Sequence, residues 1–257
     1  MVTDAQKARF AAVTEAVLSD ERADMGIGTY GEKCMHLVLK HFFCEDTDCH
    51  EVGMGDFFAD AVVDDTVYEI QTGGFYPLKK KLTYYLTRDD KRVVIVAPVV
   101  THKRLFWIDP ETGAAEGKPR RVTVSRAHYR VLREMLWLRG LWDFSRVTLR
   151  LVFLAVDEYK RLDGYGADKK RKASKIERIP GELLDILDIV DTDGVTALFL
   201  PPDLPSPFTS TDFSRETGAK RRALSADLAV LEHLGVIRRA GKRGNAILYE
   251  KRFVNDV

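Results

Sequence analysis

Asp60-Ala61-Val62-Val63-Asp64-Asp65-Thr66-Val67-Tyr68-Glu69-Ile70-Gln71 is the stretch on which the fold turns. Two apolar-rich runs, Phe58 to Val63 and Thr66 to Ile70, flank Asp64 and Asp65, an acidic pair of the kind that joins hairpin strands. Asp60 and Glu69 are therefore expected on neighbouring strands. Side chains alternate faces along a strand, so Glu69 and Gln71 point to one side and Tyr68 and Ile70 to the other. Two carboxylates and an amide are gathered in one small volume.

Carboxylates held close repel each other and raise one pKa unless a cation sits between them. Hard oxygen ligands favour magnesium or manganese. Such an ion lowers the pKa of a bound water and stabilises charge on a phosphoryl oxygen, as phosphodiester hydrolysis requires. Taken singly, an Asp at a strand start and a Glu alternating out of a half-buried strand are ordinary surface residues. Their order within one compact unit is what gives them weight.

That order resembles the PD-(D/E)XK nuclease superfamily, which includes type II restriction enzymes and archaeal Holliday junction resolvases. The resemblance covers roughly residues 26 to 100. Its pattern is a helix carrying a Glu, a strand with a metal-binding Asp, a strand ending in (D/E)-x-K, then a helix and another strand. Here Glu32 stands at the helix running to Phe43, Asp60 on the first motif strand and Glu69-Ile70-Gln71 on the second. The resemblance implies a restriction endonuclease-like mixed α/β sheet flanked by helices. It also implies magnesium or manganese held by Asp60, Glu69 and the Ile70 carbonyl, with Glu32 acting through a second metal or a water. Gln71 departs from the pattern. A glutamine hydrogen-bonds a water but brings no positive charge, and Lys79 is the first candidate to supply it.

Lys and Arg total 40 against 39 Asp and Glu, so the whole chain has no strong field of one sign. A nucleic-acid surface must come from local clustering. Residues 1 to 18 are amphipathic and interrupted by Asp4, Lys7, Arg9 and Glu15, unlike a signal peptide, and no run approaches a membrane span. A cytoplasmic protein without membrane contact is the expectation. The three cysteines, Cys34, Cys44 and Cys49, are an odd count that argues against a disulfide framework. Cys44 and Cys49-His50, with His36 or His41, raise a zinc reading, but the second short Cys/His spacing is missing.

Along the chain, residues 3 to 20 read as a helix with Phe10, Val13, Val17 and Leu18 on one face. Met25 to Gly31 is a glycine-rich entry turn lacking the Gly-Lys-Ser/Thr ending of a phosphate loop. After Thr72-Gly73-Gly74, Pro77 opens a helix to about Leu86. Its Lys79, Lys80 and Lys81 are either a solvated surface or, for one or two of them, a contact to backbone phosphate. Arg92 to Val100 reads as a buried strand, and His102 to Val124 as a hairpin with basic flanks. Residues 125 to 142 are expected to form a helix whose two tryptophans are core. A strand at Val147 to Val156 leads to a basic loop, where Lys169, Lys170 and Arg171 are either solvated or on DNA.

Pro201 to Pro207 reads as a linker. The segment after it resembles a winged helix-turn-helix: a short helix from Thr209, a turn at Thr217-Gly218, a second helix Lys220 to Leu234, then strand, basic wing and return strand from Leu231 to Tyr249. An earlier helix, Glu182 to Val190, is expected to complete it. In the DNA-binding form of that fold the second helix enters the major groove and the wing touches the backbone. Lys220, Arg221, Arg222, Lys242 and Arg243 fall at those places, although winged helices also serve as protein-docking modules.

The expectation is a nuclease-like domain over residues 1–175 and a winged-helix-like domain over 176–257. The activity implied is metal-dependent DNA endonucleolysis in restriction, defence or repair, with RNA as a further possible substrate and a homodimer as a possible assembly. The alternative is a non-catalytic DNA-binding or regulatory protein with a degenerate nuclease fold and a winged-helix reader.

Overall fold

The structure is a computed structural model that describes residues 1–24, 33–88, 91–165 and 172–252. It is an α/β protein with a mixed sheet flanked by helices. The chain falls into two compact units, and several strands pass from one to the other. The first unit comprises Met1–Thr72, Val96–Ser125 and Leu151–Leu187; the second comprises Gly73–Ile95, Arg126–Arg150 and Asp188–Val257. Among the described residues, no helix is long and apolar enough to cross a membrane.

In the first unit, α1 (Asp4–Asp24) and α2 (Lys33–Phe43) pack together. Among the described side chains of α1, Phe10, Thr14 and Val17 are buried, at helical spacing, and the Phe10 ring meets Phe42 edge-on. Cys34, Met35, Val38, Leu39 and Phe42 line the buried side of α2. Strands β1 (His50–Met54), β2 (Phe57–Val63) and β3 (Thr66–Ile70) follow as an antiparallel meander. Sequence reading found β2 and β3 but missed β1, whose Glu51 and Gly53 break the apolar alternation.

The large sheet has the order β1-β2-β3-β4-β6-β7, with β5 on β4. Its further strands are β4 (Arg92–Ile108), β5 (Arg120–Thr123), β6 (Val147–Arg161) and β7 (Ser174–Ile189). Thr101 bonds Leu154 and Arg104 bonds Asp157, a constant offset that makes β4 and β6 parallel. Glu158 meets Arg178 and Ala155 faces Gly181, so β6 and β7 run antiparallel. The helix expected at Glu182 to Val190 is instead the second half of β7 up to Ile189. Pairing along β6 overrides the helical propensity of Glu-Leu-Leu there.

The second unit holds α3 (Leu78–Arg88), whose final carbonyls at Tyr85 and Leu86 accept from the Arg146 guanidinium. The helix expected over 125–142 is shorter. It comprises α4 (Tyr129–Glu134) and a tight 3-10 turn, Met135–Leu138. The Trp142 indole donates to the Met135 carbonyl and ends the helix. Of the two tryptophans expected in the core, Trp142 is half-buried and Trp137 is exposed.

Beyond Ile189 come α5 (Thr192–Phe199), β8 (Phe208–Thr209), α6 (Ser210–Thr217), α7 (Arg221–His233), β9 (Ile237–Arg243) and β10 (Ala246–Lys251). Thr209 and Asp212 form a reciprocal capping box at the start of α6, and Gly218, at φ 69°, ends it. At the end of α7, the N–H groups of Gly235 and Val236 return to the carbonyls of Glu232 and Leu231, so Leu231 to His233 remain helical and the strand begins only at Ile237. Strands order β8-β10-β9 over a core of Phe208, Phe213, Leu224, Leu228 and Leu231.

Candidate active site

The β2–β3 hairpin is tight because Asp64 adopts φ 52°, a conformation Asp tolerates better than most residues. Its register pairs Val63 with Thr66, Val62 with Val67 and Ala61 with Tyr68. Continuing this register by one step would set Asp60 opposite Glu69. Directly opposed residues share a face of the sheet. Here the regular ladder gives way to a side chain, for the Ile70 N–H donates to Asp60 Oδ2 at 2.6 Å. The next N–H, of Gln71, goes to the Val96 carbonyl at 2.8 Å, so β3 turns from β2 towards β4 at the position of the acids.

On the other side of β2, pairing of His50 with Ala61 and Val52 with Ala59 puts Glu51 opposite Asp60. Glu51 has φ 49° and its side chain accepts from Lys40 Nζ at 2.6 Å. Three acids thus stand at one level of three adjacent strands. Helix α2 answers with His36 and Lys40, one turn apart. His36 Nε2 lies 3.2 Å from Asp60 Oδ2, and Lys40, itself buried, holds Glu51. Glu69 has no exposed surface and Asp60 only 8%.

Opposed like charges on a sheet destabilise it, and burial adds to the cost. Asp60 and Glu69 offer the hard oxygen donors that magnesium prefers, and magnesium commonly takes one or two protein carboxylates and completes its shell with water and phosphate. The donor set fits such an ion. Among the described residues, no group of three or more His, Cys, Asp or Glu side chains is disposed to hold a metal. Two carboxylates and a backbone carbonyl do not require one. The zinc reading loses its geometry, because His50 Nε2 contacts the Cys44 carbonyl at 2.9 Å and the Cys44 thiol, pushed up by burial, contacts the Asp46 carbonyl.

Glu32, Lys169, Lys170 and Arg171 lie outside the described residues. Gln71 follows β3 and is partly exposed. Lys79 and Lys80 are exposed in the first turn of α3, in the second unit. Lys220 caps α7, with Arg221 and Arg222 in its first turn, and Lys242 and Arg243 end β9; all five are exposed.

Residues 33–190 match a family described as a domain of unknown function, DUF8091. The chain belongs to the DUF8091 family. Neither curated proteins nor solved structures gave a match. The DUF8091 stretch contains α2, the acidic row and all of β7 up to Ile189, and stops before α5. Within it, sequence reading missed His36, Lys40 and Glu51 as members of the site. The four-residue spacing of His36 and Lys40 was the available signal, but spacing alone does not say that this side of α2 meets the sheet.

Proposed function

We propose that this DUF8091 chain is a metal-dependent DNA endonuclease with a restriction endonuclease-like core. The observation that carries the reading is that Asp60 and Glu69 are both buried on adjacent strands, with the Asp60 carboxylate bonded to the Ile70 N–H next to Glu69. Asp60, Glu69 and the Ile70 carbonyl would hold magnesium or manganese. Such an ion, when bound, acidifies a water and stabilises charge on a phosphoryl oxygen. His36 fixes Asp60 through Nε2, and the Ile70 N–H fixes the same carboxylate from the strand side. Both bonds reduce the freedom the carboxylate must lose when it takes a ligand. Gln71 would orient the attacking water by hydrogen bonding to it through its amide.

The segment from β8 to β10 has the element order of a winged helix: a helix pair joined at Gly218, followed by a hairpin. We assign it as the DNA reader, with Lys220, Arg221 and Arg222 facing the groove and Lys242 and Arg243 on the backbone. Exposure of these five residues supports this assignment.

A second reading, a DNA-binding or regulatory protein without catalysis, draws on Gln71, which stands where a lysine would bring charge to the water. Cleavage of linear, branched and single-stranded DNA with magnesium or manganese separates the two. The endonuclease reading expects cutting by the wild type that is abolished in both Asp60→Ala and Glu69→Ala. DNA binding without cutting, unchanged in both variants, would replace it with the second reading.

A further inference from the structure

Tyr76 and Trp137 are 64% and 50% exposed, yet their rings meet edge-on with centroids 5.1 Å apart. Two large aromatics left in water forgo hydrophobic stabilisation, and an edge-to-face pair still presents open ring surface. The pair stands on anchored segments. Phe75 and Leu78 beside Tyr76, and Met135 and Leu138 beside Trp137, are all buried, and the Phe75 N–H donates to Glu134 at 3.2 Å. The rings are therefore presented by rigid backbone. Lys79 and Lys80, three and four residues after Tyr76, are exposed and make no ion pair among the described residues.

We propose that Tyr76, Trp137, Lys79 and Lys80 form a binding site for single-stranded DNA, in which the rings stack an unpaired base and the lysines hold its flanking phosphates. Stacking platforms beside cationic side chains suit single strands, because every base has a π face to offer. In a duplex those faces are covered by neighbouring pairs. Of residues 75–80, the exposed ones are Tyr76, Pro77, Lys79 and Lys80, a surface of ring and cation complementary to a polyanion carrying aromatic bases. This inference rests on the nuclease reading for its choice of DNA, and it adds the strand state that the protein prefers.

The test is fluorescence anisotropy of a labelled oligo-dT with the full chain in EDTA, so that binding is read without cleavage. Trp137→Ala should weaken binding about tenfold, and Trp137→Phe should restore most of it. The double change Lys79→Gln with Lys80→Gln should lower the slope of log affinity against log salt by about 1.4. Thermal melting confirms that each variant is folded. No binding by the wild type, unchanged affinity in Trp137→Ala, equal affinity for a blunt duplex or for oligo-U, or equal competition by polyglutamate would each overturn the proposal. Oligo-dT binding in EDTA that depends on Trp137, in a protein that shows no metal-dependent cutting, would contradict the nuclease reading and leave this site standing, so the two can fail separately.

Discussion

Glu158 and Glu69 are both buried glutamates on strands of the same sheet, one within a cluster of cationic side chains and the other on the strand beside Asp60. Around Glu158 the protein supplies Lys103 at 2.9 Å, Arg178 at 2.8 Å and Lys160 at 3.6 Å. Burial pushes its pKa up, the bonds from Lys103 and Arg178 pull it down, and the balance leaves it at about 2. Glu69 lies on β3 one step beyond the Ala61–Tyr68 pair, next to the strand that carries Asp60. On the endonuclease reading, a metal ion brings positive charge to Asp60 and Glu69 in addition to the contacts that the protein supplies.

The largest expected effect breaks this comparison at the level of activity. Glu69→Ala should lower magnesium-dependent cutting by about a thousandfold, the order expected when metal stabilisation of the transition state is lost. Glu158→Gln should leave the rate unchanged at a temperature where it is folded. Equal losses in single-turnover assays would remove the distinction.

Stability should respond in the reverse order. Glu158→Gln leaves the amino and guanidinium groups of Lys103 and Arg178 facing a neutral amide and should cost about 3 kcal/mol at pH 7. The sign with pH follows from the depressed pKa. Stability from Glu158 is fully present above its ordinary value of 4.5 and is lost as pH falls towards about 2. Denaturant melts of wild type and variant should therefore converge across that window.

Glu69→Gln keeps the size of the buried side chain and should leave the metal-free protein folded. Added magnesium should raise the melting temperature of the wild type and not of this variant.

The smallest effect concerns a third arrangement. Asp227 on α7 is fully buried, neither of its carboxylate oxygens has a hydrogen-bond partner among the described residues, and Arg133 Nε lies 3.3 Å away. Burial pushes its pKa up, and Arg133 only partly opposes this. The raised pKa means that the charged form is penalised at pH 7. Asp227→Asn should raise stability there by somewhat under about 1 kcal/mol, an advantage that disappears in acid, as thermal melts at the two pH values will record.

The hairpin was legible because its period-two pattern and acidic turn are local, and so were the glycine-ended helices α6 and α7. Strand β7 was not, because Gly181 to Ile189 favours a helix on its own and becomes extended only by pairing with β6. The short α4 and exposed Trp137 escaped for a related reason. The Trp142 indole that ends the helix acts from seven residues away, and leucine spacing does not record it. In the site, Asp60 and Glu69 could be read from one stretch of twelve residues. Glu51, His36 and Lys40 could not, because β1 lacks strand patterning and the seating of α2 against it is tertiary.

Titration of magnesium or manganese into the protein by calorimetry tests the central claim most directly, using wild type, Glu69→Gln and Glu158→Gln. The account predicts binding to the wild type and to Glu158→Gln at similar affinity and its loss in Glu69→Gln. Binding that persists unchanged in Glu69→Gln would contradict it.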